Sequence, residues 1–220
     1  MIWIRITKSG GESMNDFLNT LAKENLLAQD MLVCTPCIHN PQYLFFKKHY
    51  YDDKERVFSI IRNPYEKAIS SWKWLTKNPK GMERCEGLFR KGISFTRFVE
   101  QSQELRLNFD KVKNICVTLS NDAHEKDTQE YKEYWVVSHM ESIFDSLNFF
   151  IDPKKVELVP IDKASEFAKC LVSPMVASFN YPKLNQSKLT KKLNKKERAL
   201  VEKIYPKDFE IWEAAKKWKS

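Results

Sequence analysis

Glycine is scarce in this chain, with five among 220 residues. That excludes a collagen-like or linker-rich protein and makes the single Gly-Gly pair, Gly10-Gly11, conspicuous. No apolar run approaches the about 20 residues that a membrane helix needs, and no basic-then-apolar leader precedes Ile2. No membrane span is therefore expected. The cysteines are few and odd in number: Cys34, Cys37, Cys85, Cys116 and Cys170 form no regular framework, which argues against a disulfide-knit scaffold. Cys34-x-x-Cys37 lacks the second pair of a zinc site, and Pro36 inside it does not suit a redox helix start, so buried thiols are expected. Carboxylates do not cluster at metal-binding spacing, and no metal is expected.

What is present is enough for a full core. Hydrophobic residues make up 42% and aromatics 13%, which excludes a disordered chain. A chain of this length buries about 70% of its unfolded surface, and one domain over 1–220 is expected. The net charge of +8 is unevenly placed. Residues 183–220 carry twelve Lys and Arg against five Asp and Glu, whereas residues 1–182 carry 25 against 24. A basic C-terminal segment points to an anionic partner or to a solvated helix face, and charge alone does not separate them.

Strand and helix patterns alternate. Ile2–Thr7 reads as a strand with Ile2, Ile4 and Ile6 on one face and Trp3 and Arg5 on the other. Met31–Thr35, the compact Val57–Ile61 run and Val156–Val159 read as further strands. Helical spacing covers Ser13 to Leu26, Tyr65–Trp74, Ser94–Leu105, Ser138–Phe149, Ala164–Leu171, Lys195–Ile204 and Phe209–Trp218, with Asn63 as a cap, Pro64 in a first turn and Pro206 as a breaker. Residues 106–135 read as loop or short helix. The alternation predicts an α/β fold: three layers, α/β/α, around a central, mostly parallel sheet.

Two segments carry chemistry. The first, Lys8-Ser9-Gly10-Gly11-Glu12-Ser13, lies between the first strand and its helix. Glycines there expose backbone N–H groups, the helix N-terminus adds partial positive charge, Lys8 adds a full charge and Ser13 a hydroxyl. This composition suits a phosphate or sulfate, though an ordinary strand–turn–helix connection would have it too. It is not a G-x-x-x-x-G-K-[ST] P-loop, because the lysine precedes the glycines. The second, Arg62-Asn63-Pro64-Tyr65-Glu66-Lys67-Ala68-Ile69-Ser70, follows the buried strand. Arg62 stands at a strand's C-terminal end, where open α/β sheets bind ligands, and its forked donors suit a phosphate monoester.

In order and separation the two segments resemble those of the P-loop-like sulfotransferases that use 3′-phosphoadenosine-5′-phosphosulfate (PAPS), especially the carbohydrate and heparan-type branch. That family's P-K-[ST]-G-G-[ST]-S loop holds the 5′-phosphosulfate, and its R-[DN]-P-x-x-[RK]-x-x-S motif holds the 3′-phosphate. The resemblance implies a cofactor site made of Lys8, Ser9, Gly10, Gly11, Glu12, Ser13, Met14, Arg62 and Ser70, with PAPS as cofactor. Leu184-Asn185-Gln186-Ser187 and Tyr205-Pro206-Lys207-Asp208-Phe209 resemble the family's L-N-x-S and Y-x-x-D-F endings. Thr7 departs from the usual proline, and Glu12 places an acid beside a dianion site.

The implied reaction is an in-line, metal-free transfer of a sulfuryl group to a hydroxyl. The moving group carries less charge than a phosphoryl group, so a lysine and backbone donors are adequate stabilisers. Lys8 is the expected stabiliser of the bridging oxygen. An acceptor hydroxyl needs a base, and histidine is the default at neutral pH. His39 is the first candidate, because its place 23 residues before Arg62 resembles that of the catalytic histidine in heparan-type 2-O-sulfotransferases. His49, then His139, then His124 follow it, and Glu12 is the one glutamate near the transferred group. The implied acceptor is a carbohydrate, with no nucleic-acid partner. Trp72 and Trp74 are expected as helix core more than as a sugar platform. A cytoplasmic enzyme is expected, with a luminal catalytic domain trimmed of a membrane anchor as the alternative. Two other classes share parts of the pattern: a basic anion- or glycan-binding module with a degenerate nucleotide site, and a P-loop nucleotide kinase.

Overall fold

The computed structural model describes residues 1–6, 8–24, 32–34 (as backbone), 55–107, 129–148, 151–172, 181 and 191–219. Four short strands, β1 (Ile2–Ile4), β2 (Leu32–Cys34), β3 (Val57–Ile61) and β4 (Glu157–Pro160), form one sheet in the order β2-β1-β3-β4. Every pairing is parallel, with Ile2 opposite both Leu32 and Val57, and Phe58 opposite Glu157. The expected strands and the parallel sheet are thus observed, with β1 ending at Ile4 instead of Thr7.

Alternation along β1 sorts its side chains as the sequence predicts. Trp3, with Phe58, Ile60 and Val159, packs under α1 (Gly11–Lys23) through Met14, Phe17, Leu18 and Leu21. Helix α7 (Ala164–Lys169) completes that layer with Phe167 and Ala168. On the opposite face Ile2, Ile4, Ile6, Val57 and Ile61 meet α6 (Ile143–Asn148) and α9 (Pro206–Ala215) through Ile143, Leu147, Ile211 and Ala215. Both faces are covered, as a parallel sheet requires, and the architecture is α/β/α.

A second core is purely helical. α2 (Pro64–Lys77), α4 (Phe95–Leu107), α5 (Gln129–Met140) and α8 (Lys195–Ile204) enclose Trp72, Leu75, Phe95, Phe98, Val136 and Val201, with the short α3 (Pro79–Arg84) beside them. Asn63 caps α2 by accepting from the Tyr65 amide at 3.0 Å, and Pro64 takes the first position, where no N–H is needed. Asn194 and Glu197 make a reciprocal capping box on α8.

The structure corrects the single helix expected over Ser138–Phe149. α5 stops at Met140, Glu141 and Ser142 are non-helical, and α6 starts afresh at Ile143. The cause is tertiary. Asp208 accepts from Ser142 Oγ at 2.5 Å and from the amides of Ile143 and Phe144 at 2.9 and 3.0 Å, which caps α6 from another helix. Tyr205, Lys67 and Ser71 take the carbonyls at the end of α5. Pro206, expected as a breaker, also opens α9 at its first position. Of the thiols, Cys85 is buried and donates to the Leu75 and Gly81 carbonyls, whereas Cys170 is exposed, contrary to expectation, because it lies beyond the last buried position of α7. Among the described residues no helix is long and apolar enough to cross a membrane.

Candidate active site

In the order β2-β1-β3-β4 the chain turns to one side after β1 and to the other before β3, so the crevice beyond the carboxyl ends of those strands is the ligand position of an open parallel sheet. Both anion segments leave from there. After β1, Lys8 adopts φ 63°, a left-handed conformation that costs a non-glycine residue of order 1–3 kcal/mol. Gly10 follows at φ 82° and is the N-cap of α1. It has no side chain to cap the first turn, whose amides lack partners within an α-helix. Gly11 lies under the Arg5 side chain: a Cβ there would lie 2.7 Å from Arg5 Nε.

Arg62, at the end of β3, joins the two segments. Its Nη1 donates to the Lys8 carbonyl at 3.1 Å, fixing the left-handed residue. Glu66 lies 3.7 Å from Arg62 Nε, beyond hydrogen-bond reach. Burial lowers the Arg62 pKa, with Glu66 acting in the opposite direction. Two buried polar atoms here, Arg62 Nε and Ser9 Oγ, have no hydrogen-bond partner among the described residues. Buried donors are ordinarily satisfied, so each of the two marks a position where a further acceptor fits. A phosphate or phosphosulfate oxygen fits them, since both are donors beside two cations and a helix N-terminus.

The structure locates the other expected residues as follows. Ser13 is buried in the first turn of α1, and Met14 is buried in the core with its amide donating to Gly10 O at 3.2 Å, so it forms the floor under the loop. Glu12 is exposed in the first turn of α1, yet its charge is the largest acting on Lys8. Ser70 is partly buried on the second turn of α2. His39, His49 and His124 lie outside the described residues, as do Thr7 and Leu184-Asn185-Gln186-Ser187.

Sequence reasoning missed two groups. The first is Lys67, the basic position of the second motif. It is buried and donates to the carbonyls of His139 at 3.3 Å and Glu141 at 2.7 Å. Ser71 donates to the same His139 carbonyl at 2.7 Å, and Tyr205 to that of Met140 at 2.7 Å. The tyrosine and aspartate of the Y-x-x-D-F ending therefore tie down residues 140–144. The second is Trp74. Trp72 is core as expected, its Nε1 donating to Ile93 O at 3.2 Å, but Trp74 stacks on the His139 ring at 4.3 Å and carries the Lys8 ammonium 4.3 Å from its own centroid. The signal was the spacing of 67, 71 and 74, one face of α2.

The sequence model of the sulfotransferase family matches residues 1–213. The chain belongs to the sulfotransferase family. No curated protein and no solved structure matches it. As a sulfotransferase it is a transferase that moves a sulfuryl group. The candidate site offers two cations, a helix N-terminus without a side-chain cap and buried donors, which are the parts an anionic donor needs.

Lys8 is the most perturbed group in this sulfotransferase's cradle. Desolvation pushes its amine down from 10.5 to about 8, Glu12 opposes the shift, and Arg62 and Lys67 add to it. The ammonium therefore sits near its titration point at physiological pH, in a setting where a bound anion would restore its charge.

Proposed function

We propose that the protein transfers the sulfuryl group of PAPS to a hydroxyl of a carbohydrate acceptor. The observation that supports this best is the pair of anion grips on adjacent strand ends, each with a buried donor that lacks a partner among the described residues. The donor supplies the sulfuryl group on a phosphosulfate anhydride. On this reading the Ser9–Ser13 loop and Lys8 hold the 5′ end, while Arg62 and Ser70 hold the 3′-phosphate. The acceptor oxygen forms the new S–O bond as the bond to the bridging oxygen breaks, and Lys8 neutralises charge on that oxygen. The acceptor proton passes to a base, for which His39 is the first candidate and Glu12, the carboxylate acting most strongly on Lys8 among the described residues, another.

Calorimetric titration with adenosine 3′,5′-bisphosphate tests the donor. Binding at micromolar concentration is expected, and its absence would refute PAPS as donor. His39→Ala is expected to lower turnover while that binding is retained. Full turnover in the variant would move the base elsewhere.

A further inference from the structure

One face of α2 grips His139 at three points. Lys67 and Ser71 hold its carbonyl, and Trp74, a turn further on, stacks on its ring with the planes 7° apart. The indole is thus braced by a residue whose own backbone is fixed. Over that indole stands Lys8 Nζ, 4.3 Å from the centroid. A cation is drawn to the electron-rich face of tryptophan, and more strongly where water is scarce. The lysine is held at both ends: its carbonyl by Arg62, its ammonium by the ring.

We propose that Trp74 is a positioning residue for Lys8, its indole face holding the ammonium on the α2 side of the cradle so that the lysine meets the sulfuryl donor from a fixed place. This rests on the reading of Lys8 as the cation that serves the donor. Without the ring, a four-carbon side chain rooted in a left-handed residue has several rotamers to sample, and holding one of them is worth most in the transition state. The ring also acts on protonation. Glu12 from α1 favours the charged amine, while Arg62 and Lys67 disfavour it, and His139 of α5 faces the same indole. A π face favours the ammonium, so it opposes the desolvation that lowers Lys8.

The test uses the full chain with its lysines reductively 13C-methylated, which keeps their charge, and Lys8 assigned by its loss in Lys8→Arg. In the wild type the Lys8 signal is expected upfield of the exposed lysines, shielded by the indole ring current. Trp74→Leu, which keeps an apolar wall and removes the π face, should abolish that displacement and lower the Lys8 midpoint by about half to one pH unit. It should cut kcat about ten-fold with the KM for the donor within about three-fold, and Trp74→Phe should recover most of both losses. A wild-type Lys8 signal coincident with the exposed lysines overturns the proposal and requires no variant to fold. An unchanged midpoint in a Trp74→Leu protein with native melting overturns it too. Failure of the donor reading shows separately, as no heat on titrating the wild type with adenosine 3′,5′-bisphosphate.

Discussion

Lys8 and Lys67 are two lysines withdrawn from water within reach of each other's charge, and desolvation pushes both down to about 8. Their surroundings differ in one respect. Around Lys67 most hydrogen bonds close on themselves: two carbonyls accept from its ammonium, Ser71 shares the His139 carbonyl, Tyr205 takes that of Met140, and Asp208 accepts three donors at once, with Arg106 Nη1 the one donor there left over among the described residues. Around Lys8, Ser9 Oγ and Arg62 Nε are left over among the described residues, and the ammonium rests on a ring. Arg62 and Lys67 come from the same nine-residue motif, five positions apart, and finish on opposite sides of this divide. A buried cation by itself therefore says little about function; whether its neighbours are satisfied says more.

The comparison breaks most visibly if Arg62 is dispensable. Arg62→Ala should lower kcat/KM by about 100- to 1000-fold, the range for losing one preorganised donor. Its melting temperature should stay close to that of the wild type, read by circular dichroism. Asp208→Ala should do the reverse. It removes three hydrogen bonds to a buried carboxylate and the cap of α6, a loss of about 3 kcal/mol, and should lower the melting temperature by about 6–12 °C. Binding of adenosine 3′,5′-bisphosphate below that temperature should change by less than about three-fold. Swapped phenotypes would mean that the two regions have been assigned the wrong way round.

A smaller effect separates the lysines by pH. Lys8 must be charged to serve an anion, so kcat/KM for the donor should fall as pH rises through about 8, and Lys8→Arg should carry that limb to higher pH. Lys67 acts on stability with the opposite sense. Its folded-state pKa of about 8 lies below the ordinary 10.5, so between those values the unfolded chain binds more protons and this group's contribution to stability rises with pH. Lys67→Met should flatten the melting temperature between pH 8 and 10 relative to wild type. An activity limb that moves with Lys67→Met and not with Lys8→Arg would sink the distinction.

How much of this was legible depended on whether the cause was local. The alternation of β1, the Asn63-Pro64 cap and the Gly10-Gly11 turn follow from single residues and their neighbours, and they appear as the sequence predicts. The break at Glu141-Ser142 does not, because helical spacing continues through it and the agents that end α5 and cap α6 sit on α2 and α9, some 65 to 75 residues away in sequence. The roles of Lys67 and Trp74 were hidden for the same reason. The motif lysine has no assigned role, and a helix tryptophan reads as core, until the partner segment is in place. The family ending at Tyr205–Phe209 was visible as a string, but its work, holding residues 140–144, needed three dimensions.

One hydroxyl carries a consequence for selectivity. The ladder between β1 and β3 runs through Ile2–Val57 and Trp3–Phe58, and at the next step Ser59 Oγ donates to Ile4 O at 2.7 Å. The two strands are thus tied as far as Ile4 and Ser59, four residues before Lys8 and three before Arg62. Beyond that point the Arg62–Lys8 hydrogen bond joins the two chains again, so the two segments start from strands about 4.8 Å apart and stay in contact. On the proposed reading, in which the two segments hold the two ends of one donor, the crevice would behave as a gauge: a ligand with anionic groups at both ends is graded by its length, and one with a single anion is not.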